Sequence, residues 1–105
     1  MDAETEDCPP AEIPEGALYR DLLIVNKKGL HARASAKFVQ TVERFDAAVT
    51  VTRCGETVGG RSIMGLLTLG AAKGTTITVV AAGHDAAESL AAIAALVESR
   101  FGEDE

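Results

Sequence analysis

A chain of 105 residues, 47% apolar, 4% aromatic and without tryptophan, has the length of one globular domain and is too short for a deep catalytic cavity. Sixteen acidic against ten basic side chains give a net charge of −6, and the composition is neither disordered, collagen-like nor disulfide-dense. No apolar run reaches the ~18 residues of a membrane span, and the acidic start matches neither a secretory signal nor a transit peptide, so the expected setting is the cytoplasm.

The charge is unevenly spread. Residues 1–17 hold Asp2, Glu4, Glu6, Asp7, Glu12 and Glu15 with no base, and residues 103–105 are all acidic. The stretch 18–102 then carries seven acids against all ten bases, a net of +3. Cys8, Pro9, Pro10 and Pro14 also fall in the first segment. Proline and like charge together oppose packing, so 1–17 is expected to be a flexible acidic tail, 18–102 the folded domain and 103–105 an acidic end. Two cysteines make no framework, and cytosolic thiols stay reduced. Cys8 is therefore expected as an exposed thiol and Cys54 as a small residue at a strand end.

Leu18 to Val25 reads as a strand, broken by Asn26-Lys27-Lys28-Gly29. Ala32 to Arg44 follows as a helix, with Ala34, Phe38 and Val42 on one apolar stripe and Phe45 just beyond. Val49 and Val51 alternate with Thr50 and Thr52, a half-buried strand. Cys54-Gly55-Glu56 predicts a tight turn into a short strand around Thr57 and Val58, ended by Gly59-Gly60. A short helix is expected over 62–69, then a turn at Lys73-Gly74. Ile77, Val79 and Ala81 alternate with Thr76, Thr78 and Val80, a fourth strand closed by Gly83. Asp85 and Glu88 have capping-box spacing, and Ala86, Leu90, Ile93 and Val97 give the last helix, with Arg100 near its negative end. The order β-α-β-β-α-β-α lacks a repeated βα unit and predicts an α+β domain with helices on one face of an antiparallel sheet.

Three stretches carry chemistry or imitate it. Gly55 to Ser62 (GETVGGRS) approaches a phosphate-cradling loop, but Arg61 stands where that loop needs lysine, and a planar fork does not replace a compact ammonium. A glycine-rich hairpin is the expected structure there. His31 stands between Gly29-Leu30 and the first turn Ala32-Arg33-Ala34, beside unpaired N–H groups at the positive end of a helix dipole. That setting stabilises an anion on the imidazole. Arg33 can reach phosphate oxygens, and Lys27, Lys28 and Lys37 add positive potential. Two readings stand side by side: a polar helix cap among solvated bases, or a nitrogen that receives and passes on phosphate. Ser62 is likewise either the cap of the short helix or a phosphorylation site. His84 is expected at the surface. The cysteines lack metal-ligand spacing, and few aromatics with a modest basic excess argue against nucleic-acid binding. No cofactor or metal is expected.

NKKGLHARASAKFV (26–39) followed by SIMGLLTLGAAKG (62–74) resembles the HPr family of histidine-containing phosphocarriers of bacterial phosphotransferase systems, over about Leu18 to Phe101. The Ala-rich last helix and LLTLGAAKG are similar to the nitrogen-related branch, NPr; Gly-Leu-His suits the sugar branch. The resemblance implies an open-faced β-sandwich, four antiparallel strands with three helices on one face. It implies that His31 takes a phosphoryl group on Nδ1 from enzyme I and gives it to a IIA protein or domain, with Arg33 beside it. It also implies that Ser62 is the serine modified by a dedicated HPr kinase/phosphorylase. Partner docking maps onto Ala32, Arg33 and Ala36 of the first helix and Ile63, Met64, Gly65, Leu67 and Thr68 of the second. The carrier is expected to be a monomer and not an enzyme. Most members have proline where this chain has Ala34, a first-turn position that accepts either residue. A regulatory module of the same fold that transfers no phosphate is the alternative.

Overall fold

The computed structural model describes residues 8–105; residues 1–7, part of the expected tail, lie outside the described residues. The elements follow the expected order: β1 (Leu18–Leu23), α1 (Ala32–Val42), β2 (Ala48–Arg53), β3 (Glu56–Gly59), α2 (Ile63–Thr68), β4 (Thr76–Ala82) and α3 (Ala86–Glu98), with a 3₁₀ turn at Arg100–Gly102. The four strands form one antiparallel sheet in the order β1-β4-β2-β3. The helices lie on one face of it, the architecture of an open-faced sandwich.

Strand alternation decides which side faces them. Leu22, Val49, Val51, Ile77, Val79 and Ala81 are buried toward the helices, while Tyr19, Asp21, Thr76 and Thr78 line the other face. The stripe of α1 packs as its spacing predicts, with Ala34, Phe38 and Val42 fully buried. From α3 the buried residues include Ala86, Leu90, Ile93 and Val97. Leu66 alone is buried within α2, so that helix leaves much of its apolar surface in solvent.

Several boundaries differ from expectation. β1 stops at Leu23, but Ile24 stays fully buried and its N–H bonds to Thr75 O at 2.9 Å. α1 ends at Val42, with Glu43 as its C-cap. β2 and β3 are joined by the two residues Cys54 and Gly55, both at positive φ (50° and 83°), the tight hairpin turn read from the sequence. The capping box at Asp85 does not form. Its Oδ2 instead accepts the Asp46 N–H at 2.8 Å and its Oδ1 pairs with His84 Nδ1. The Asp85 N–H returns a bond to Asp46 O, so a tertiary pair has replaced the local one.

The cysteines correct the expectation of an exposed thiol at Cys8 and an unpaired Cys54: they are joined in a disulfide, 46 residues apart in sequence with Cα atoms 4.6 Å apart. Residues 8–17 contain no helix or strand. Cys8 to Ala11 and Ile13 run beside Tyr19, Asp21, Leu23, Thr76 and Thr78, along the sheet face that the helices leave open. The pairing was not legible because β2 and β3 place Cys54 at a hairpin tip that only the folded sheet brings to the N-terminal segment.

Candidate functional site

The loop before α1 is fixed by its backbone. Gly29 has φ +67°, and a Cβ there would lie 2.4 Å from Ala71 O, so only glycine fits. The Leu30 N–H bonds to that same carbonyl at 2.9 Å. Asn26, fully buried, donates from Nδ2 to Gly29 O at 2.8 Å, and Ser35 Oγ donates to Leu30 O. Held in this way, the chain enters α1 with His31 as N-cap in an extended conformation, φ −77° and ψ −176°. The His31 carbonyl accepts the Ser35 N–H at 2.8 Å, while its side chain makes no cap bond. The imidazole is thus left for something other than capping.

The ring is about one quarter exposed, and its Nε2 is bonded to Glu103 Oε2. Glu103 Oε1 accepts from Asn26 Nδ2 at 3.1 Å. Nδ1 makes no hydrogen bond among the described residues. Burial works against the charge of the Glu103 carboxylate, but the bonds from His31 and Asn26 and the nearby Lys28 outweigh it and hold its pKa below the ordinary value. An ionised acceptor on Nε2 keeps the proton there in the neutral ring and leaves the lone pair on Nδ1.

The C-terminal segment reaches this loop by an unusual route. Arg100 and Phe101 follow α3 with φ of 60° and 55°, a left-handed conformation costly for side chains of this size. Tertiary bonds hold it. Phe101 is fully buried, its carbonyl accepts from Lys37 Nζ at 2.6 Å, and the Lys27 N–H bonds to Glu105 O at 2.8 Å. Lys27 Nζ also pairs with a Glu105 carboxylate oxygen at 3.2 Å.

These bonds revise the expected ring of positive potential. Lys27 and Lys37 are engaged by the C-terminal segment and Lys28 acts on the Glu103 carboxylate, so among the described residues exposed Arg33 is the base of the first turn left without a bond. Glu103, from the expected acidic end, enters the site, and Glu105 ties the chain to Lys27. Glu103 and Asn26 were not singled out from the sequence: Glu103 lies 72 residues from His31 and 77 from Asn26, and neither stands in a local motif.

α2 packs beside α1. Ser62 caps it, its Oγ accepting the Gly65 N–H at 2.9 Å. Ile63 is 40% and Met64 70% exposed. Leu67 and Gly65 are half-buried, Thr68 is exposed, and Ala32 and Ala36 show part of the α1 surface. The helix docking residues expected from the resemblance therefore lie on two adjoining helices. His84 is elsewhere, at the turn into α3, bonded to Asp85. The phosphate-loop imitation dissolves into the hairpin, β3 and the start of α2, and Arg61 donates to Ala47 O and Phe45 O. Among the described residues no group of three or more His, Cys, Asp or Glu side chains is placed to hold a metal.

A sequence model for the HPr component of the phosphotransferase system, described by its phosphorylation site, matches residues 18–99. The chain belongs to the HPr family. It is 49% identical over 88 residues to the phosphocarrier protein HPr of Neisseria meningitidis, covering 84% of this chain and 99% of the relative. It is 42% identical over 86 residues to the phosphocarrier protein NPr of Shewanella violacea, covering 82% and 94%. The crystal structure of HPr from Thermoanaerobacter tengcongensis superposes with a TM-score of 0.80 at 39% identity, over 84% of this chain and 99% of that one. Membership in the HPr family makes the protein a phosphocarrier of the phosphotransferase system and not an enzyme. No helix among the described residues is long and apolar enough to cross a membrane.

Proposed function

We propose that His31 is the phosphoryl acceptor, taking the group on Nδ1 from phosphorylated enzyme I and passing it to a IIA protein or domain, in the cytoplasm and as a monomer. The observation that carries this reading is the imidazole itself, positioned at a helix start, gripped through Nε2 and, among the described residues, left with no partner on Nδ1. On acceptance the bond from phosphorus to the donor atom of enzyme I breaks and the Nδ1–P bond forms. With its proton on Nε2, the ring need not shed one from Nδ1 before it attacks. On donation the Nδ1–P bond breaks, and the IIA nucleophile takes the phosphorus. Such a transfer needs positioning and charge stabilisation more than covalent help from the carrier. The test is phosphorylation by enzyme I and phosphoenolpyruvate followed by phosphorus-31 and nitrogen-15 NMR, which reads a phosphorus coupled to His31 Nδ1. Phosphorus on any other atom overturns the assignment.

Arg33 follows two residues later, in the exposed first turn of α1, and acts as the phosphate contact. Arg33→Ala should slow transfer roughly ten- to a hundredfold, the worth of one charge-assisted bond, without lowering the melting temperature. A wild-type rate removes Arg33 from the site.

Docking uses the exposed Ile63–Met64 pair and its neighbours on α1 and α2; methionine suits a surface that must fit more than one partner. Ser62, exposed beside that pair, is the position for regulatory phosphorylation by an HPr kinase/phosphorylase. A negative charge there faces the docked partner and must be desolvated. Ser62→Asp should slow acceptance from enzyme I roughly ten- to a hundredfold, whereas Ser62→Ala, which loses only the cap, should transfer normally. Equal rates for the aspartate variant and wild type argue against the switch.

A further inference from the structure

The chain of bonds from Asn26 to Glu103 to His31 joins the loop that presents the histidine to a carboxylate from the opposite end of the sequence. We propose that Glu103, itself held by Asn26, is a positioning residue for phosphoryl transfer: it fixes the imidazole ring and stabilises the positive charge the ring gains as Nδ1 bonds to phosphorus. This rests on His31 being the acceptor.

The geometry separates the two edges of the ring. Glu103 Oε2 meets Nε2, while Nδ1, the attacking atom, has no partner among the described residues. The carboxylate thus sits at the nitrogen remote from the incoming phosphoryl group. A carboxylate on the far nitrogen of a histidine orients the ring and stabilises its charged form, as in hydrolytic triads. On acceptance the ring gains positive charge, so the carboxylate favours that step; on donation the ring sheds the charge, and the carboxylate serves there to hold the ring in place.

Asn26 makes the grip specific. Its amide donates to Gly29 O at 2.8 Å and to Glu103 Oε1 at 3.1 Å. Flipped, it would set Oδ1 against a carbonyl and a carboxylate, so the amide has one workable orientation. Its buried Oδ1 makes no hydrogen bond among the described residues, so the side chain acts through the two bonds that Nδ2 donates, while the Asn26 carbonyl accepts the Gly29 N–H at 3.2 Å. A buried acceptor left unmatched costs stability, and keeping asparagine there is explained by what Nδ2 holds. The buried Phe101 and its carbonyl bond from Lys37 deliver Glu103 to this place against the left-handed backbone that precedes it.

The experiment measures transfer from phosphorylated enzyme I to the full chain, with melting curves for every variant. Glu103→Ala and Asn26→Asp, which puts a carboxylate where the donor stood, should each lower kcat about tenfold, the loss of one hydrogen bond to a charged group, with KM unchanged. The nitrogen-15-edited NMR signal of His31 Nε2–H should move upfield in both. Glu103→Gln, which keeps an acceptor without the charge, should fall between. Asp104→Ala, removing a neighbouring exposed charge, should match wild type. Asn26→Ala takes the place of the aspartate variant if that one does not fold. Wild-type kcat in Glu103→Ala or in the Asn26 variant overturns the proposal, as does a change confined to KM. Phosphorylation that persists in His31→Ala instead removes the acceptor reading beneath it, so the two failures are distinct.

Discussion

His31→Ala is expected to abolish phosphoryl acceptance and leave the domain folded. Among the described residues no other nucleophile stands ready in the site. Ser35 Oγ is buried against Leu30 O, the Ser62 hydroxyl caps α2 with no base beside it to activate it for attack on the enzyme I phosphoryl group, and His84 lies at the turn into α3, bonded to Asp85. The substitution should cost little stability. The imidazole is partly exposed, makes no cap bond and has Glu103 as its hydrogen-bond partner, while the backbone bonds of Leu30 and Ser35 that start α1 remain. A loss within about 1 kcal/mol is expected for such a position. Circular dichroism and melting check the fold, and an enzyme I assay checks acceptance. An unfolded variant would mean that His31 is part of the scaffold and that its loss says nothing of chemistry.

Reduction of the Cys8–Cys54 disulfide is expected to lower stability by about 2–4 kcal/mol. The bridge spans 46 residues, and loop-closure entropy removed from the unfolded chain corresponds to about 4 kcal/mol for a loop of that length. The lower part of the range allows for residues 8–17, which hold no helix or strand and regain freedom in the reduced native state. The midpoint of melting should fall by about 10–20 °C for a domain of this size. Cys8→Ser is the better variant, because Cys54 sits at φ 50° in the hairpin turn and a change there also tests the turn. Melting with and without reductant, on wild type and Cys8→Ser, gives the answer. Identical curves would show that the bridge does not constrain the unfolded chain.

What the sequence made legible is what short-range physics controls. Alternation marked β2 and β4, the four-residue spacing of Ala34, Phe38 and Val42 marked α1, and Cys54-Gly55 marked the hairpin. His31 and Ser62 were legible as helix starts because glycine and polar residues precede an apolar stripe. The rest depends on contacts between distant segments. Pairing of β1 with β4 joins the two ends of the sheet's sequence, and nothing local specifies it. The capping-box spacing of Asp85 and Glu88 misled because Asp46, on another loop, competes for the same carboxylate. Glu103 read as part of a solvated acidic end because charge composition does not reveal that the left-handed turn at Arg100 and Phe101 folds it back onto Asn26 and His31. Lys27 and Lys37 read as free positive charge for the same reason.

The carrier account is tested most directly by the intact mass of wild type and His31→Ala after incubation with enzyme I and phosphoenolpyruvate. It predicts one added phosphoryl group on wild type, lost in acid as a phosphohistidine is, and none on the variant. No addition to wild type with an enzyme I from the same cell, or an equal addition to His31→Ala, would contradict it; the first result would point to a regulatory module that docks partners without passing phosphate through.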